Sequence, residues 1–98
     1  MTMTAYMIFL REEPVRDAAE MAEYQRMNRE NKGDFKIKPL VVYGAIEAVE
    51  GKAPDGMIIV EFPTVADAKA WYNSPGYQAA LPHRIKAAEY RAMIVEGL

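Results

Sequence analysis

Cysteine is absent from the 98-residue chain, and histidine occurs once. The first absence excludes a disulfide framework, a thiolate nucleophile and any zinc or iron–sulfur site built on thiolates. The second excludes a multi-histidine metal centre within one chain. No apolar run approaches the ~20 residues that cross a bilayer as a helix. The start, MTMTAYMIFLREE, has neither the cationic region nor the small-residue cleavage site of a secretory signal. A cytoplasmic location and no membrane partner are therefore expected. Basic patterning is lacking as well: 12 Lys and Arg are scattered among 14 Asp and Glu, for a formal net charge of -2. Without a basic stripe to neutralise phosphates, nucleic acid is not an expected partner. Phosphate loops and nucleophile elbows are also missing.

What remains is a globular composition, 51% hydrophobic and 27% charged, in a length that suits one domain spanning residues 1–98. AYMIFL, Ala5 to Leu10, reads as a buried strand ended by Arg11-Glu12-Glu13 and Pro14. From Val15 to about Lys32, Val15, Ala18, Met21, Ala22, Tyr24 and Gln25 share one side at helical spacing, which predicts an amphipathic helix closed by Gly33. Pro14 fits its first turn, and Asp17 followed by Glu20 offers an alternative start. FKIKPLVVYG and AIEAVEG predict a long strand kinked at Gly44, with Pro39 marking an edge; Pro54-Asp55-Gly56 then turns the chain. MIIVEF, Met57 to Phe62, is a second apolar strand. Thr64 caps the next helix, whose stripe holds Val65, Ala68, Trp71 and Tyr72, and Ser74-Pro75 starts a further segment that Pro82 is expected to bend or split. YRAMIV, Tyr90 to Val95, closes the series as a strand.

The order strand, helix, strand, strand, helix, strand is that of an α+β, ferredoxin-like βαββαβ unit: a four-stranded antiparallel sheet with helices on one face. Such a sheet alternates apolar and polar residues where its free face meets water, yet Tyr6 to Leu10, Met57 to Val60 and Ala92 to Val95 are apolar on both faces. Leaving about six such side chains wet forfeits roughly 10 kcal/mol or more of burial. A second copy of the chain, sheet against sheet about a two-fold axis, is the expected cover, giving a homodimer of the dimeric α/β-barrel type.

The stretch EFPTVADAKAWYNSPGYQAALPHR, Glu61 to Arg84, concentrates the candidate chemistry. Glu61, at the end of an apolar strand, suits a general base for a carbon acid or phenol, or else a structural lock with an arginine such as Arg84. Arg84 shares a helix face with Tyr77 and Leu81 and needs an anion: Glu61, an acid of a second copy, or a substrate carboxylate. His83 lies about 100° away around the helix, so the two cannot both enter one pocket; it is either a general acid/base or an exposed side chain. Trp71 and Tyr72 suit a core rim or the wall of an aromatic-binding cleft, and Tyr6, Tyr24, Tyr43 and Tyr77 could line the space between sheet and helices.

Glu61-Phe62-Pro63, Ala68, Trp71-Tyr72, Ser74-Pro75, Tyr77-Gln78, Ala80 and Arg84, with Val95-Glu96-Gly97 at the end, resemble the family called domain of unknown function 1330. The similarity runs from Tyr6 to Gly97. It departs where the family often carries a glycine pair and an Arg-Gly-Gly; here these places read Asn31-Lys32-Gly33-Asp34 and Tyr43-Gly44-Ala45. The resemblance implies a ferredoxin-like dimeric barrel and no established activity. The wider superfamily includes cofactor-free monooxygenases, isomerases and haem-handling enzymes, but fold does not transmit function. Two readings follow. One is a small dimeric enzyme taking an apolar or aromatic, carboxylated or neutral molecule into a cleft between sheet and helices, with proton transfer by Glu61 or His83 and no tightly bound cofactor. The other is a non-catalytic ligand-binding or structural homodimer.

Overall fold

The computed structural model describes residues 3–31 and 33–98. Four strands and three helices follow in the order β1 (Ala5–Arg11), α1 (Ala18–Glu30), β2 (Lys38–Val42), β3 (Gly56–Phe62), α2 (Val65–Tyr72), α3 (Pro75–Ala87) and β4 (Tyr90–Glu96). The sheet order is β2-β3-β1-β4, every neighbouring pair antiparallel. This is the ferredoxin-like architecture the sequence implied.

Register decides which residues meet. Pairing Met7 with Val60 and Ile94, and Phe9 with Ile58 and Ala92, puts these side chains on the helix-bearing face. There Ala5, Met7, Phe9, Val60 and Phe62 join Met21, Tyr24, Ala68, Tyr77 and Ala80 in the core. The alternate set points the other way because successive strand residues face opposite sides. Val41, Ile59, Ile8 and Met93 form a continuous row across all four strands on that second face. Tyr6, Leu10, Met57 and Val95 extend the apolar patch, and among the described residues no helix covers it.

Helix α1 begins at Asp17, whose carboxylate accepts the Glu20 amide at 3.1 Å. Pro14 is not part of its first turn. The amides of Arg16 and Asp17 donate instead to the Ala87 carbonyl at the end of α3, holding that stretch outside the helix. Asn31 caps the other end; Lys32, where the pattern ran out, lies outside the described residues. Strand β2 is short, with an irregularity between Pro39 and Val41, and the expected continuation through AIEAVEG does not form. Tyr43 turns the chain off the edge with φ of 52°, a left-handed conformation uncommon for a bulky residue, and the segment beyond it has no strand to pair with.

The α2–α3 junction is built on Ser74. Its hydroxyl donates to the Trp71 carbonyl at 2.6 Å, ending α2, and accepts the Tyr77 amide at 3.4 Å, starting α3 with Pro75 at the first position. Pro82 does not split α3, which runs unbroken to Ala87. Pro82 is exposed, so the carbonyl it leaves without an amide, that of exposed Gln78, has water as an alternative partner.

Candidate binding cleft

Helix α1 docks along α3 and stands off the sheet over β2 and β3. The gap is a cleft of about 420 Å³, walled by Phe9, Ile58 and Val60 from the sheet, Tyr24, Asn28 and Arg29 from α1, Trp71 from α2, and Ile37, Val42 and Tyr43 from the β2 edge. A mainly apolar lining with a few polar groups at this volume suits a small organic ligand. A larger hollow, about 520 Å³, lies between the Glu12–Pro14 turn and the Gly44–Asp55 loop, but none of its lining residues is buried.

Behind the wall formed by Phe9, Tyr24 and Tyr43, two phenol pairs meet two guanidinium groups. The Tyr24 and Tyr77 hydroxyls are 3.0 Å apart, and those of Tyr43 and Tyr90 are 2.6 Å apart. Arg11 lies over the Tyr43 ring at 4.8 Å and donates to Asp55 at 2.9 Å. Arg84 lies over the rings of Phe9 at 5.4 Å and Tyr90 at 5.1 Å. Gly56 lets Tyr43 close over β3, since a Cβ there would stand 2.8 Å from the Tyr43 ring.

Burial pushes the Tyr24 hydroxyl above the usual tyrosine range, opposed by its bond to Tyr77 and by the Arg84 charge. Tyr77 is pushed well up by burial and then by Tyr24, and Tyr43 by burial and then by its bond to Tyr90. Burial works against the Arg11 cation, but hydrogen bonds to Tyr90 and Asp55 outweigh it and raise its pKa. The phenols therefore stay protonated over the ordinary pH range, and hydroxyl donors gathered in this way can stabilise negative charge.

The residues singled out from the sequence fall into two groups. Tyr24, Trp71, Tyr77 and Arg84 converge, with Tyr72 stacked behind them: ring centroids are 4.3 Å apart for Trp71 and Tyr77 and 5.2 Å for Tyr72 and Tyr77. Glu61, Tyr6 and His83 do not join them. Glu61 and Tyr6 are cross-strand partners on the uncovered face, with Lys38 beyond Glu61 on β2. Arg84 lies on the other side of the sheet, so a lock between Glu61 and Arg84 within one chain is not formed. His83 points away from Arg84, as their angular offset required, and its Nδ1 meets the Glu20 carboxylate on α1. Arg11 and Tyr90 were not singled out, although strand parity places Arg11 on the face of Met7 and Phe9, opposite Tyr90. Among the described residues no group of three or more His, Asp or Glu could hold a metal ion, and no helix is long and apolar enough to cross a membrane.

No curated protein matches the chain. Solved structures do. A protein of unknown function from Rhodopseudomonas palustris superimposes with a TM-score of 0.76 at 20% identity, covering 100% of this chain and 85% of its own. A dimeric ferredoxin-like protein of unknown function from Thermobifida fusca gives 0.65 at 12% identity, covering 99% and 93%. An ethyl tert-butyl ether D family protein from Bacillus halodurans gives 0.64 at 17% identity, covering 98% and 100%. At these identities the likeness is one of fold. The family model described as domain of unknown function 1330 matches residues 4–98, nearly the whole chain, and the chain belongs to that family.

Proposed function

We propose that the chain is a small-molecule-binding protein whose ligand, an apolar or aromatic compound, enters the cleft between α1 and the sheet. The single observation that carries this reading is the cleft itself. It has a ligand-sized volume, an aromatic and aliphatic wall, and hydroxyl donors gathered at one end. Phe9, Ile58 and Trp71 give this solvent-open groove an apolar wall, which favours an apolar occupant over water.

Proton transfer by Glu61 or His83 gains no support from the geometry. Glu61 is on the opposite face of the sheet, and His83 is engaged with Glu20 between the helices. Any chemistry in the cleft falls to the phenols and guanidinium groups, which favour stabilising negative charge over removing a proton. Binding is accordingly the primary activity. Trp71 is the only tryptophan and lines the cleft, so its emission reports occupancy directly. Titration with a neutral aromatic probe such as benzyl alcohol should change Trp71 emission and raise the melting temperature. Unchanged emission and melting at millimolar concentrations of both this probe and an anionic aromatic such as phenylacetate would rule the reading out.

The uncovered sheet face favours a second element of the proposal, that the working unit is a homodimer joined through that face. Solved structures with this fold include proteins described as dimeric.

A further inference from the structure

We infer that the molecule taken by the cleft carries a carboxylate or similar anionic group on its apolar body, and that Arg84 supplies the positive charge that selects it. This deepens the binding reading above and rests on it.

Arg84 is the most unusual side chain in the molecule. It is 7% exposed, its Nε and Nη1 have no hydrogen-bond partner, and it makes no ion pair among the described residues. A guanidinium keeps its charge at any ordinary pH, so it cannot escape the cost of burial by losing a proton. The rings of Phe9 and Tyr90 stabilise the cation from nearby. They do not replace oxygen acceptors for N–H donors that radiate in the guanidinium plane.

The phenols point to the same chemistry. A pair of hydroxyls has two protons and uses one in its mutual hydrogen bond, so Tyr24 with Tyr77, and Tyr43 with Tyr90, each keep one donor in reserve. Tyr24 and Tyr43 line the cleft, whereas Arg84 sits one layer back beside Phe9 and, with Tyr90, Arg16 and Glu89, lines a separate hollow of about 120 Å³. Where Tyr77 and Tyr90 donate within the pairs, the free protons are those of Tyr24 and Tyr43, and an anionic group in the cleft receives them while the Arg84 charge one layer back offsets its own.

Charge bookkeeping around the cleft agrees. Arg29 lines it and no Asp or Glu does among the described residues. Asp55, the carboxylate beside Arg11, lines the separate hollow by the Glu12–Pro14 turn and is already engaged by Arg11 at 2.9 Å. A cationic ligand would meet Arg29 in the wall and feel the Arg84 charge behind it, with no acidic side chain in the lining, whereas an anionic one is favoured by both, neither of which makes an ion pair among the described residues. Arg84 therefore acts as a positioning residue for the anion, through the field it sets up behind the phenols.

Phenylacetate and phenylacetamide, which share an apolar body and differ in charge, make the test. Both are titrated against the full chain, with Trp71 emission and melting temperature as readouts. Phenylacetate should bind roughly tenfold or more tightly than the amide, the advantage expected of charge-assisted recognition. Arg84→Met should cut the ratio several-fold by weakening phenylacetate alone, leaving what Arg29 and the phenols contribute, and Arg84→Lys should keep much of the preference. Equal binding of the two probes to the native protein overturns the inference and leaves the cleft reading standing. Binding of neither overturns both. The native comparison decides the anionic preference whether or not Arg84→Met folds, and Arg29→Met, at an exposed position of the wall, should keep most of that preference; its loss in Arg29→Met instead overturns the assignment to Arg84.

Discussion

Tyr24 and Tyr77 share one hydrogen bond inside the fold, and both phenols lose far more solvation on ionising than an exposed tyrosine does. Tyr43 is raised in the same direction by its own burial and by Tyr90. A tyrosine whose folded pKa lies above its unfolded value favours the folded state fully below the unfolded pKa of about 10. That contribution is lost as the pH rises from there toward the folded value. Titration followed by phenolate absorbance should therefore show Tyr24, Tyr43 and Tyr77 remaining protonated above pH ~10 and ionising only as the chain unfolds. Smooth ionisation of all six tyrosines with the fold intact would contradict this picture. Arg84 was legible as a problem from sequence, because its helix face is apolar. Its surroundings were not, since Tyr43 and Tyr90 are far apart in the chain and meet only through the turn at Tyr43 and the pairing of Arg11 with Tyr90.

Among the elements, the α2–α3 junction does most to shape the cleft. Ser74 closes one helix and opens the next, and this change of direction brings Trp71 against Tyr77 while Trp71 also packs on Phe9 and Phe62. Replacing Ser74 with Ala removes the cap and leaves the Trp71 carbonyl without its hydroxyl donor. The expected loss is about 1–2 kcal/mol of stability, measurable by urea unfolding, together with a shift in Trp71 emission of the folded protein. No change in either would show that the junction is held by packing alone. The capping signals at Thr64 and Ser74 were readable because they are local: each hydroxyl reaches an amide three residues on. The extent of β2 was not, because alternation over a few residues from Ala45 to Glu50 says nothing about whether a neighbouring strand is there to pair. Val49 is 89% exposed in the result. Helix α1 likewise took its start from the contact of Arg16 and Asp17 with α3, which no local pattern carries.

The whole molecule measures 40 × 34 × 16 Å, the thickness of a sheet with one layer of helices. Its uncovered face has an apolar centre, with Val41, Ile59, Ile8 and Met93 in one row, and charged residues toward the ends, Glu61 and Lys38 at one and Arg91 at the other. An apolar centre with a charged margin is the organisation of a protein interface, and a two-fold axis would let the patch cover itself. Ile8 lies at the middle of the row, between Ile59 and Met93, and its side chain does not enter the helix-side core. Ile8→Glu should therefore leave the fold intact by circular dichroism while placing an unpaired charge at the centre of the joined faces, a change that costs several kcal/mol on association. Sedimentation at micromolar concentration should give twice the chain mass for the native protein and the single-chain mass for Ile8→Glu. The native melting temperature should rise with protein concentration, as linked association requires, and that of the variant should not. A native protein that sediments as a single chain, with melting independent of concentration, would remove the homodimer from the proposal while leaving the cleft untouched, because the two lie on opposite faces of the sheet.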